Sequence, residues 1–187
     1  MKLFIKNMVC PRCIMSVENI LKENNLPAKY VQLGEIELLC SPGKKQLQKF
    51  SQDLQKVGFE LLDNQKQQLI EKIKTFLIQE VQNGNIKEHF SIHQFFSEKI
   101  FKDYSSLSKL FSEVEGITIE QFFILQKIEK VKELLIYDES SLSQIAFQLG
   151  YSSTQHLSGQ FKKFTGMTPT QFKSLGSSHR KAIDAIV

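Results

Sequence analysis

Cys10 and Cys13, in the run Met8-Val9-Cys10-Pro11-Arg12-Cys13, are the residues of this chain best suited to direct chemistry. Two thiolates separated by two residues can point at one ion, and thiolate ligands select soft or borderline metals such as Cu(I), Ag(I) or Zn(II). The pair falls in a loop between a strand-like and a helix-like stretch. A helix N-terminus and the Arg12 charge both lower a thiol pKa and favour the thiolate. Met8 reads as a packing residue under the loop. Three uses stand open: soft-metal binding, a redox pair, or inert cysteines in a domain kept for docking or dimerisation. A redox pair at the start of a helix requires more chain than residues 1–63 and a later proline facing the cysteines, and Pro42 reads instead as a helix-start residue. A structural zinc site wants four ligands, and nothing in the sequence places Cys40 near the pair.

A second chemical surface lies near the C-terminus. Thr154, Gln155, His156, Ser158, Gly159, Gln160 and Lys163 fall at or near the outward side of a helix whose Leu157, Phe161 and Phe164 face a core. Glutamine can pair bidentately with adenine, and serine or threonine can serve either base, so such a face can read sequence as well as phosphates. An earlier stretch offers a comparable set: Tyr104, Ser105, Ser106, Ser108 and Lys109, with Ser112 further along. Glu113 and Glu115 near its end repel phosphate, so its N-terminal turn is expected to make the approach. The four histidines are scattered and lack paired carboxylates or a nucleophile at meaningful spacing, so no enzyme is expected.

The two polar faces sit in two copies of one unit. Between Ser91 and Phe172 the same punctuation recurs at an offset of fifty residues: Ser91/Ser141, Gln94/Gln144, Leu107/Leu157, Ser108/Ser158, Phe111/Phe161, Gly116/Gly166, Thr118/Thr168, Gln121/Gln171 and Phe122/Phe172. Self-similarity at a fixed period marks one supersecondary piece used twice. Ser91 with Gln94, Ser141 with Gln144, Thr118 with Gln121 and Thr168 with Gln171 read as capping boxes, and Pro169 suits the first helical position. Gly116 and Gly166 read as left-handed helix ends. Each copy therefore reads as a capped short helix, a turn, a second helix ended by glycine, and another capped helix, which is two helix-turn-helix units. Ala146 is small enough for two crossing helices, and Gly150 can take the positive φ of the second turn. In the first copy Ile100 and Phe101 stand for Gly150 and Tyr151, so Lys102-Asp103 are expected to supply the bend. Between the copies Ile119 to Ile136 reads as one helix about 27 Å long, close to the ~34 Å of one DNA turn that separates successive major grooves. It looks like a spacer, with Phe122, Leu125, Ile128, Val131 and Leu135 along its buried face.

The N-terminal stretch follows a different pattern. Lys2 to Lys6 reads as a strand, Ile14 to Leu21 as a helix ended by Asn24-Asn25, Tyr30 to Leu39 as β-like, Leu47 to Val57 as a helix, and Phe59 to Leu62 as a last strand. The phase of Tyr30 to Leu39 slips at Gly34, which marks either a bulge or a very tight reversal. Asn64 to Gln68 is polar and reads as a linker, so the expected domains are 1–64 and 65–187. Leu69, Ile73, Phe76 or Leu77, and Val81 make the first amphipathic helix beyond it.

Composition is neutral on partners. Net charge over the 187 residues is +4. Cut at Asn64/Gln65, the chain carries nine Lys and Arg against seven Asp and Glu, then fifteen against thirteen. Any basic face must therefore come from arrangement. No apolar run reaches membrane-spanning length, and MKLFIKNMVCPRC is too soon polar for a signal peptide. Three cysteines, two of them in a CxxC, point away from a disulfide framework. A cytoplasmic protein that does not enter a membrane is the expectation.

Residues 142–173, LSQIAFQLGYSSTQHLSGQFKKFTGMTPTQFK, resemble the signature of AraC-type transcriptional regulators through Ala146, Gly150-Tyr151, Phe161-Lys162-Lys163, Gly166, Thr168-Pro169 and Phe172-Lys173. The likeness extends more weakly over 65–175. It implies an all-α tandem helix-turn-helix domain that binds double-stranded DNA and controls transcription, with RNA polymerase as a further partner and a homodimer left open. Gly159 departs from the pattern, because relatives often carry a long polar reader there. Met8, Cys10 and Cys13, with Gly58-Phe59 near the last strand, resemble the heavy-metal-associated domain, whose MxCxxC loop holds a soft metal ion. That likeness implies an α+β ferredoxin-like fold, βαββαβ, for residues 1–63. The chain offers only about ten residues for the two central strands, which must be very short or fused into one. The reading as a whole is a DNA-binding transcription regulator modulated by soft-metal or thiol chemistry at Cys10 and Cys13. The alternative is a metal-trafficking or interaction protein whose helical half docks a protein partner.

Overall fold

A computed structural model describes residues 1–62, 65–100 and 102–175. The chain divides into two compact units, 1–76 and 77–187. The boundary falls inside a helix.

The first unit runs β1 (Lys2–Lys6), α1 (Pro11–Glu23), β2 (Ala28–Gln32), β3 (Glu35–Leu38), α2 (Lys44–Lys56) and β4 (Glu60–Leu62). The strands form one antiparallel sheet in the order β2-β3-β1-β4. In β1 the alternation of Lys2, Leu3, Phe4 and Ile5 buries Leu3 and Ile5, as a half-buried strand requires. Helix α1 buries Val17, Ile20 and Leu21, and α2 buries Phe50 and Leu54. With Met8, Leu26, Ile36, Leu38 and Phe59 these form one apolar core. Asn25 ends α1 in the left-handed region at φ 51°. The buried Asn24 ties the helices together by donating to the Ile20 carbonyl and to Asp53 Oδ2, each at 3.0 Å.

The central strands are two, separated by a reversal of two residues. Gln32 pairs with Glu35 across Leu33-Gly34, and Gly34 takes φ 79°. The phase slip at Gly34 is thus a tight reversal, and the alternative of one fused strand is excluded. Its carbonyl accepts from the Ile5 backbone N–H at 3.0 Å, which seats the hairpin on β1.

Helix α3 (Gln65–Asn83) begins within the polar run read above as a linker. Glutamine and lysine are good helix formers, so polarity there marks a solvated helical turn rather than loose chain. Next come α4 (Ile92–Lys99), α5 (Tyr104–Glu115), α6 (Ile119–Tyr137), α7 (Leu142–Gln148), α8 (Thr154–Thr165) and α9 (Pro169–Leu175). Reciprocal capping bonds open α6, α7 and α9 at Thr118/Gln121, Ser141/Gln144 and Thr168/Gln171. At α4 only half the box forms: Ser91 accepts from the Gln94 N–H, while the Gln94 side chain donates to Glu98. Gly116 and Gly166 end α5 and α8 at φ 72° and 80°.

Helix α6 is the hub of the helical unit. It packs against α5, α7, α8 and α9 and buries Ile119, Phe122, Phe123, Ile128, Val131 and Leu135, together with Gln126, Lys127, Glu129 and Lys132. Leu125, expected on its buried face, is half-buried. Long polar side chains can line a buried contact with their aliphatic stems, so polar letters concealed how enclosed this helix is.

Candidate nucleic-acid interface

The second helix of each copy presents the same kind of face. In α5, Leu107 and Phe111 are buried while Ser105, Ser106 and Lys109 are exposed; in α8, Leu157 and Phe161 are buried while Gln155, His156 and Gly159 are exposed. Tyr104, Ser108, Thr154, Ser158 and Gln160 are half-buried, and Lys163 is exposed. Phe164, expected in the core, is half-buried, with the Lys163 ammonium 6.0 Å from its ring centre. Phe164 continues the i, i+4, i+7 stripe of Leu157 and Phe161, but it stands in the last turn of α8, one residue before the helix ends.

The two turns that set these helices differ. In the second, Leu149 ends α7, Gly150 takes φ 66° and Ser153 caps α8 by accepting from the His156 N–H at 3.0 Å. In the first, Ile100 is extended and buried, and Phe101 lies outside the described residues. Asp103 caps α5, accepting from the Ser106 N–H at 3.1 Å. The expected bend at Lys102-Asp103 is therefore a carboxylate cap in the slot that Ser153 fills.

Hydrogen bonds already engage several candidate readers. The Tyr104 hydroxyl donates to Glu120, and the Ser105 hydroxyl to Asp103. Burial and the bond to Glu120 push the Tyr104 pKa well above the ordinary phenol range. On α8, Thr154 donates to Gln155 Oε1 at 3.2 Å, and the Ser152 hydroxyl lies 3.1 Å from His156 Nδ1. Lys162 and Lys163 are the basic residues of its last turn, where α5 has none. The more basic outward face is thus that of α8.

Gly150 meets a feature that the repeat does not reveal. Residue Ile86 forms a parallel bridge with Leu149 and donates its N–H to the Gln148 carbonyl at 2.9 Å. The loop after α3 is thereby laid on the second turn. A Cβ at Gly150 would lie 2.7 Å from the Lys87 carbonyl oxygen. The close approach and the positive φ both call for glycine.

Gly159 is different: its φ lies outside the left-handed range, and nothing stands within 4 Å of a Cβ built there. Glycine inside a helix costs about 1 kcal/mol relative to alanine. Gly159→Ala is therefore expected to raise the stability of the helical unit by up to about 1 kcal/mol, read as a higher urea midpoint with an unchanged slope.

The helical unit has tandem helix-turn-helix geometry, and a family model described as a helix-turn-helix domain matches residues 96–174. Residues 96–174 form a helix-turn-helix domain. The chain is 36% identical over 77 residues to an uncharacterized HTH-type transcriptional regulator of Staphylococcus aureus, covering 41% of this chain and 10% of that protein. It is 36% identical over 73 residues to the xylose operon regulatory protein of Escherichia coli, covering 39% and 19%. It is 28% identical over 104 residues to the probable transcriptional regulator LumQ of Photobacterium leiognathi, covering 56% and 42%. The chain thus spans about a tenth of the length of the first of these relatives. Among solved structures, the C-terminal domain of AraT, a response regulator from Geobacillus stearothermophilus, superposes with a TM-score of 0.50 at 21% identity, over 61% of this chain and 91% of that one. That likeness extends the helix-turn-helix domain's agreement to the level of fold.

Outside the helix-turn-helix domain, the first unit brings Cys10 and Cys13 together. Cys10 is the N-cap of α1, and the two sulfurs lie 3.4 Å apart, both half-buried. Burial opposes ionisation of Cys10, but the Cys13 backbone N–H, the Cys13 thiol and Arg12 outweigh it and hold its pKa below the ordinary thiol value. Burial and the neighbouring Cys10 push Cys13 up. Met8 is buried beneath the loop. Cys40 is exposed. Among the described residues no group of three or more His, Cys, Asp or Glu is placed to hold an ion, and no helix is long and apolar enough to cross a membrane.

Proposed function

We propose that this chain is a sequence-specific double-stranded DNA-binding transcription regulator of the AraC type. The observation that carries the reading is the duplicated outward face of α5 and α8, each set by a capped turn and backed by buried leucine and phenylalanine. Second helices of helix-turn-helix units enter the major groove with their N-terminal residues on base edges. Residues Ser105, Ser106, Ser108 and Lys109 in the first copy, and Gln155, His156, Ser158 and Gln160 in the second, stand where such edges would be read, with Lys163 toward phosphate. Tyr104 and Thr154 open the two helices and orient the approach. RNA polymerase would be the second partner of such a regulator, and a homodimer would pair its sites.

A salt titration of binding to promoter-derived duplex tests this reading. Neutralising Z phosphates gives a slope of log affinity against log salt of about −0.9Z. A steep negative slope is the expected result. No binding to any duplex at low salt would overturn the reading and leave the helical half as a protein-docking module.

The first unit is, on this reading, a ferredoxin-like sensor of the heavy-metal-associated type, supported by its βαββαβ order and its cysteine loop. Two sulfurs converging at a helix N-terminus fit a soft ion of low coordination number, Cu(I) or Ag(I), better than zinc, which wants four ligands. Cys10 and Cys13 would hold the ion, which would supply charge and a constraint on the loop. Metal stoichiometry of the wild type against Cys10→Ser/Cys13→Ser, with duplex affinity measured on both, checks this. One ion per chain lost in the variant, with an affinity that moves with metal, is expected; no binding of Cu(I) or Ag(I) by the wild type would remove the sensor role.

A further inference from the structure

Tyr151 is buried in the second turn, yet its polar end reaches the reading face. Its hydroxyl donates to Gln160 Oε1 at 2.7 Å. Its ring is held on two sides: the Lys127 ammonium lies 3.7 Å from the ring centre, and the His156 ring meets it edge-on at 5.4 Å and 87°. Burial pushes the phenol pKa up, so the hydroxyl stays protonated and available to donate. A buried phenol needs a partner, and among the described residues Gln160 is the one it has.

That bond decides which end of the Gln160 amide faces outward. A glutamine that reads adenine must offer both its oxygen, to N6–H2, and its nitrogen, to N7. With Oε1 engaged by the Tyr151 hydroxyl, the Nε2 donor pair is the end of the amide left to meet a base. Donors alone suit bases that present acceptors, such as guanine through N7 and O6, or thymine through O4.

We infer that Tyr151 is a specificity-determining positioning residue, which sets Gln160 as a donor-only reader and so selects an acceptor-presenting base over adenine at the base pair facing it. The inference rests on the DNA-binding reading given above. It explains what a tyrosine adds over a phenylalanine here: the ring alone would fill the space, and only the hydroxyl reaches Gln160.

Selection of the full chain on a randomised duplex library tests it, using wild type, Tyr151→Phe, Gln160→Ala, the double variant, and Gln160→Glu. Tyr151→Phe keeps the ring and frees the amide. Relative preference for adenine should rise at least about fivefold at the position that Gln160→Ala also alters, the low end for one bidentate base contact. Other positions and the salt slope should be unchanged, and in the Gln160→Ala background Tyr151→Phe should shift nothing. Gln160→Glu, which turns an acceptor outward without touching the turn, should move preference toward cytosine through N4. A Tyr151→Phe profile that superposes on wild type, a shift that survives in the Gln160→Ala background, or a Gln160→Glu profile with no change would each overturn the inference. A wild-type chain that enriches no sequence would overturn the DNA-binding reading itself, and this inference with it.

Discussion

Gly150→Ala is expected to remove about 3 kcal/mol or more of the helical unit's stability, whereas Gly166→Ala should cost only about 1–2 kcal/mol. Both glycines adopt the left-handed conformation, at φ 66° and 80°, which costs an L-residue about 1–2 kcal/mol. They differ in what surrounds them. A Cβ at Gly166 meets nothing within 4 Å, while one at Gly150 meets the Lys87 carbonyl oxygen at 2.7 Å and the Ile86 carbonyl oxygen and Cγ2 at 2.9 Å. Two of those three atoms belong to the backbone and cannot rotate away. Relief requires the 86–87 segment to lift, which breaks the 2.9 Å bond from the Ile86 N–H to the Gln148 carbonyl. Forced overpacking of this kind adds about 1–3 kcal/mol. Urea midpoints of the full-length variants check the difference. Equal losses at the two glycines would show that the contact with residues 86–87 contributes nothing. Because the same turn aims α8, duplex affinity should fall with Gly150→Ala and hold with Gly166→Ala.

The need for Gly150 was half legible in the sequence. Its place before Tyr151 in the second copy predicts the positive φ, but nothing in the spacing announces that residues 86 and 87 lie against it. Caps and glycine ends could be read because they are local: a hydroxyl, three residues and an amide suffice to satisfy orphan N–H groups. The same logic located the outward faces of α5 and α8, since Leu107/Phe111 and Leu157/Phe161 orient each helix by themselves. It failed for Phe164, which lies on the apolar stripe but in the last turn of α8, and for Asp103, whose capping role replaces a serine by a different residue type. It failed most clearly for α6. There Gln126, Lys127, Glu129 and Lys132 are buried, and a polar residue gives no sign in one sequence that its stem will be enclosed by helices that come before and after it. In the first unit, Cys10 and Cys13 were legible as a pair, while their opposite pKa directions depend on which sulfur the backbone N–H groups of α1 face. The helical start at Gln65 was missed because solvated helix and solvated linker use the same residues.

Lys127→Met is expected to stabilise the chain by up to about 3 kcal/mol near pH 7, with the gain fading as pH rises past 8 and vanishing near 10.5. Lys127 is 8% exposed and has no carboxylate partner among the described residues; its ammonium faces Tyr151 at 3.7 Å and Phe123 at 5.7 Å. Desolvation pushes its pKa from 10.5 down to about 8. Between those values the unfolded chain holds a proton that the folded chain has released, so stability rises with pH across the window from 8 to 10.5 and stays at its lower level below it. The depression amounts to roughly 3 kcal/mol of penalty on the charged form at neutral pH. Cation–π attraction to the two rings opposes that penalty, so the gain stays below it, and an uncharged side chain of similar length avoids the remainder. Wild type and Lys127→Met compared by urea unfolding from pH 6 to 10.5 check this, because titrations common to both cancel in the difference. Lys127→Arg separates the two contributions, since its charge cannot be released and the rise in stability between pH 8 and 10.5 should disappear. A Lys127→Met variant less stable than wild type at pH 7 would mean that the rings hold the cation more strongly than burial opposes it. In that case the charge is what clamps Tyr151, and the base preference set through Gln160 should change in Lys127→Met as it does in Tyr151→Phe.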